Sequence, residues 1–84
     1  MNLSCHLRHL PAASLLSLNK YLYILKADKG SWKIEAEFER EGAVHFEVTN
    51  DWLVLSDEST KLVNFYKLSE FLQTRSIGTP EKTQ

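Results

Sequence analysis

With one cysteine, Cys5, the chain can form no internal disulfide, which excludes the small secreted folds that depend on several. Three glycines are too few for a phosphate-cradling loop of the Walker or dinucleotide type, and no serine sits in a glycine-flanked elbow. No apolar run approaches the roughly 18 residues of a membrane-spanning helix, so no membrane partner is expected. Histidine is also scarce. Cys5, His6 and His9 are borderline metal ligands, but their spacing is too tight for a zinc finger and no second Cys or His pair follows, so neither a metal site nor a cofactor is expected. Cys5 as a nucleophile would need an oriented base, and the nearest histidines share its short segment. These absences together point away from an enzyme.

What is present describes one soluble domain: 84 residues, 43% hydrophobic and 25% charged. A core of this size encloses no deep substrate cavity. The lone thiol suits a reducing, cytoplasmic setting. The opening run MNLSCHLRHLPAASLLSL fails as a signal peptide, because Arg8, two histidines and Pro11 interrupt it and no small-x-small site follows Leu18. It reads instead as an N-terminal arm, residues 1–18, with a short helix near Ala12 to Leu18. Asn2-Leu3-Ser4 matches a glycosylation sequon by chance.

The strongest pattern is SWKIEAEFEREGAVHFEV. Trp32, Ile34, Ala36 and Phe38 alternate with Lys33, Glu35, Glu37 and Glu39, and Val44, Phe46 and Val48 alternate with His45 and Glu47, a period of two that marks half-buried strands. If the two strands form a hairpin, parity requires a three-residue loop, Arg40-Glu41-Gly42, with Gly42 in the left-handed region. Phe38 then pairs with Val44, Ala36 with Phe46 and Ile34 with Val48, while Glu35 faces Glu47 and Glu37 faces His45. Upstream, Tyr21 to Leu25 is rich in strand formers and precedes the turn signal Asp28-Lys29-Gly30, which predicts a strand from Lys20 to Ala27. Downstream, Asn50-Asp51 makes a two-residue turn that sends Leu53 and Leu55 to the core and Trp52 and Val54 away from it.

Beyond Ser56 the pattern predicts a turn at Asp57 to Thr60, a fifth strand from Lys61 to Lys67 and a short helix from Ser69 to Arg75. The expected fold is mainly β: a five-stranded antiparallel meander curled into a small barrel, with a short helix at each end. Residues 19–76 form the β-rich domain and 77–84 a disordered polar tail. The competing arrangement lays one long helix in place of strand five across a four-stranded sheet.

Two surfaces carry the functional expectation. Residues 34–60 hold eight acidic residues and one Arg, a net charge of −7, while the flanks sum to +4 and +2. Val54 paired with Val63, and Trp52 with Phe65, would build an apolar patch opposite the core, which marks an interface. A non-enzymatic adaptor or inhibitor is therefore expected, binding a protein partner or a second copy of itself as a homodimer through Trp52, Val54, Val63 and Phe65, with an acidic surface of Glu35, Glu37 and Glu47 adding selectivity. The alternative is single-stranded nucleic-acid binding by Lys20, Tyr21, Tyr23, Lys26, Lys29, Trp32 and Lys33, where aromatic rings interleave with lysines.

Overall fold

The structure, a computed structural model, describes residues 5–84. The sequon at Asn2 lies outside them. The protein is mainly β: β1 (Cys5–His9), β2 (Ser14–Leu18), β3 (Tyr21–Asp28) and β4 (Ser31–Glu39) form one antiparallel sheet in that order. β5 (Val44–Thr49), β6 (Trp52–Asp57), β7 (Val63–Lys67) and β8 (Lys82–Thr83) form a second, with a helix α1 (Leu68–Thr74) between β7 and β8. Among the described residues no helix is long and apolar enough to cross a membrane.

Local chemistry explains most of the strands. Two-residue turns join β2 to β3, β3 to β4 and β5 to β6, and each carries residues with positive φ: Asn19 (53°), Lys29 and Gly30 (49° and 83°), and Asn50 (53°). Asparagine and glycine tolerate this region, and turns of this hand match the right-handed twist of the strands they connect. Strand β2 overturns the expected helix at Ala12 to Leu18. Leu15 is fully buried and Leu16 half-buried, so both sides of β2 are apolar and the alternation that identifies a strand is hidden.

The largest departure concerns the expected barrel. β4 and β5 do not pair, so the predicted partners Phe38 and Val44, Ala36 and Phe46, and Ile34 and Val48 belong to different sheets. Parity arguments constrain which residues share a side, and two sheets packed face to face satisfy them as well as one hairpin does. Glu35 accordingly does not oppose Glu47, nor Glu37 His45. Gly42 does occupy the left-handed region, at φ 87°, but in a connector between sheets rather than in a hairpin.

That connector is fastened to both sheets. Arg40 N–H donates to the Lys20 carbonyl at 2.7 Å and Val44 N–H to the Asn19 carbonyl at 2.9 Å. The Arg40 guanidinium donates to the Asp57 carboxylate at 3.0 Å, and this bonding pushes its pKa up and keeps it charged. Asp57 is 7% exposed, so its charge is compensated within the fold.

The core lies between the sheets. Leu15, Leu22 and Ile24 from the first meet Phe46, Leu53 and Leu55 from the second, and Phe71 of α1 packs on Phe38 with ring centroids 5.4 Å apart. Asp51, in the β5–β6 turn, caps the helix from a distance: its carboxylate accepts the Ser69 N–H and hydroxyl, each at 3.0 Å. The helix falls one residue ahead of its predicted span. The fifth predicted strand begins at Val63 rather than Lys61, and the tail expected to be disordered supplies β8, with Gln84 and Val63 exchanging backbone hydrogen bonds of 2.8 Å.

Candidate interaction surfaces

The second sheet's outer face is built from alternate residues of three strands. The register pairs Thr49 with Trp52 and Trp52 with Lys67; Glu47 with Val54, Val54 with Phe65 and Phe65 with Lys82; His45 with Ser56 and Ser56 with Val63. Trp52, Val54, Val63 and Phe65 thus share one face, as the sequence predicted, although Val54 meets Phe65 rather than Val63. The displacement arises in the β6–β7 connection: the register is shifted by two residues, with Ser56 pairing with Val63, because Lys61 (φ 62°) and Leu62 remain outside β7.

The four apolar side chains are half-buried and contiguous. Trp52 meets Phe65 edge-on, with centroids 6.2 Å apart. Lys67 lays its ammonium 4.4 Å from the Trp52 ring centre and Lys82 5.4 Å from that of Phe65, so each ring has a polarised cation at its margin. Beside this stripe an open cleft of about 540 Å³ is lined by His6, His45, Glu47 and Val63 among others. His6 reaches it from β1, its ring 4.7 Å from that of Phe46. The surface thus has an aromatic centre, lysines and a glutamate at its rim and an open recess beside it.

The predicted acidic surface is dispersed. Glu47 borders the Trp52 stripe, but Glu35 and Glu37 lie on β4 in the other sheet. Glu35 approaches the Arg75 guanidinium at 3.8 Å, and Glu37 sits opposite Tyr23. Cys5, His6 and His9, placed by the sequence in a loose arm, belong to β1. Alternation sends Cys5 and His9 to the outer face and His6 to the inner one, so the three cannot converge on one ion. Among the described residues no three His, Cys, Asp or Glu side chains gather as a metal site.

The residues of the nucleic-acid alternative divide between two places. Tyr21 and Tyr23 stack 6.0 Å apart on the outer face of the first sheet, directly opposite Glu39 and Glu37. Lys20 donates to Glu39 at 3.1 Å, a bond that raises the Lys20 pKa. The other four belong to the tip of the β3–β4 hairpin, whose residues 26–34 are all exposed: Lys26 opposite Lys33, Lys29 in the turn, and Trp32, 56% exposed, stacked on His9 at 5.6 Å.

The outer face of the first sheet is a surface the sequence did not reveal. A bulge in the β3–β4 ladder, where Ile24 pairs with Ala36 but Leu25 with Ile34, leaves Glu35 as the extra residue. The predicted stripe is thereby cut in two. Ala36 and Phe38 face the core, while Trp32 and Ile34, 56% and 55% exposed, turn outward beside Leu25. There they join half-buried Leu16, Leu18, Tyr21 and Tyr23 and the 47% exposed Leu7. A third apolar feature, an open groove of about 630 Å³, runs between Pro11, Val48 and Leu72 with Arg8 and Asp51 at its margin. Comparison with known proteins identifies no relative: no protein-family model, curated protein or solved structure matches this chain.

Proposed function

We propose that the protein is a non-enzymatic interaction module that docks a protein partner through the outer face of its second sheet. The observation that carries this reading is the contiguous stripe of Trp52, Val54, Val63 and Phe65 on the side opposite the core, since aromatic residues in such a stripe are the usual anchors of an interface. Glu47 on one margin and Lys67 and Lys82 on the other give the patch a polarity that selects among partners. His45 and Glu47 are exposed on the same sheet and border the stripe. Exposed Cys5 fits a reducing, cytoplasmic location.

Affinity capture with the wild-type chain and with Trp52→Glu, after nuclease digestion, tests this function. A protein partner recovered with the wild type and reduced at least tenfold with Trp52→Glu supports it. Equal recovery by both chains sinks it.

A second reading rests on the exposed hairpin tip, where Trp32 stands on one side of the strands, the Lys26–Lys33 pair on the other and Lys29 in the turn. It offers phosphate neutralisation and one stacking platform to a single strand. Retention on an immobilised single-stranded DNA or RNA column, falling steeply with salt and abolished in Lys26→Glu/Lys33→Glu, would favour it over protein docking.

A further inference from the structure

Each of the two sheets is apolar on both faces. One face of each is used already, since the inner faces form the core. The outer faces have the same make-up: the second sheet presents the Trp52 stripe, and the first presents Leu16, Leu18, Tyr21 and Tyr23 with Leu7 and Ile34 at 47% and 55% exposure. A sheet that is apolar on both sides is the middle layer of a stack. α1 packs on the inner side through Phe71 and β8 extends the edge of the second sheet, so neither of them covers either outer face.

Charge decides what each face fits. Glu37, with Glu39 already bonded to Lys20 at 3.1 Å, flanks the tyrosines on the first sheet, whereas Lys67 and Lys82 flank the aromatics on the second, with Glu47 at the far margin. Two first-sheet faces brought together would oppose Glu37 to Glu37, and in two second-sheet faces the lysines would have only Glu47 of the far margin to meet. Unlike faces place the β4 carboxylates against the β7 and β8 lysines. The molecule's own packing already has this sense: β1 lies over β5, with His6 on Phe46, and β4 lies over α1, with Phe38 on Phe71 and Glu35 beside Arg75. The free edge of β4 is a poorer joint, because Lys33, Glu35, Glu37 and Glu39 alternate along it in the manner that blocks strand addition.

We propose that copies of this chain stack head to tail, the outer face of the first sheet of one copy seated on the outer face of the second sheet of the next. This rests on the reading of the Trp52 stripe as a docking face and names a second copy as its occupant. The contact is heterologous, so every added copy leaves one free face of each kind and assembly continues until a ring closes. Radial stacking of four-stranded sheets is one of the ways all-β architectures leave only short, protected edges.

Light scattering after size-exclusion chromatography, on the full chain and two variants, provides the test. Trp52→Glu alters only the second-sheet face, and Leu7→Glu/Ile34→Glu, at two well-exposed positions, only the first. The wild type should exceed twice the 9.7 kDa chain mass as concentration rises, and each variant alone should remain at the chain mass. An equimolar mixture of the two should form a species of about twice that mass and no larger, because each supplies the face the other lacks and the remaining faces both carry added glutamate. That complementation also shows that both variants are folded. A wild type that stays monomeric, or a mixture that does, overturns the stacking. Self-association of Leu7→Glu/Ile34→Glu with none by Trp52→Glu overturns it too, while leaving the Trp52 face as a docking surface. If both variants associate as the wild type does, the stacking and the docking face fall together.

Discussion

Among single residues, Arg40 holds the two sheets in a fixed relation. Its partner Asp57 is 7% exposed and accepts from the guanidinium at 3.0 Å, so Arg40→Ala strands a buried carboxylate. The expected loss is about 3 kcal/mol, read as a lower urea midpoint, and Asp57→Asn in the same background should recover part of it by removing the charge. No recovery would mean that the arginine acts through packing alone. Tyr23 makes a second residue-scale prediction. Partial desolvation, then the nearby charges of Glu37 and Tyr21, hold its phenol above the ordinary value of 10.0. With the folded value above the unfolded one, the stability due to the neutral phenol is complete below the unfolded value and is lost as pH rises through the folded one. The difference in phenolate absorbance between wild type and Tyr23→Phe should therefore develop above pH 10.0, and Glu37→Gln should draw it back toward that value. A midpoint at or below it would show that Tyr23 is fully solvated.

At the scale of elements, α1 has seven residues, too few to be stable alone. Its first turn is secured by Asp51, which lies 18 residues upstream and accepts from Ser69 twice. Asp51→Ala should cost about 1 kcal/mol and shorten amide-exchange protection in α1 more than in β3. Uniform loss across the molecule would assign Asp51 to the turn rather than to the cap. The strands were legible wherever one side is polar, as in β5, and wherever Asn or Gly marks a turn, as at Asn50 and Gly30. They were illegible where both sides are apolar: β2, with Leu15 inside and Leu16 outside, carries no period of two. The bulge at Glu35 left no sequence signal either, since the apolar–polar alternation runs unbroken through it.

For the molecule as a whole, the buried core lies at the joint between the sheets. Phe71 is 3% exposed and contacts Phe38 across it, so Phe71→Ala should cost about 3–5 kcal/mol, a large share of the roughly 5–15 kcal/mol available to such a domain. Because β1–β4 and β5–β8 share one core, both should unfold in a single transition monitored by Trp fluorescence, with Trp32 reporting the first sheet and Trp52 the second. Two separated transitions would mean that each sheet is stable without the other.

By itself the sequence determined a mainly β chain and the company of Trp52, Val54, Val63 and Phe65 on one face, because side-chain alternation is a local property of a strand and survives any choice of partner. Gly42 is left-handed as expected, although the hairpin loop from which that was expected does not form. The tertiary structure alone decided that β4 and β5 part company, that a bulge turns Trp32 and Ile34 outward, and that Glu35 and Glu47 never meet. The reason is physical: which strands share hydrogen bonds depends on how two apolar faces find one another across the core, and residues of like parity answer that question equally well in one sheet or in two.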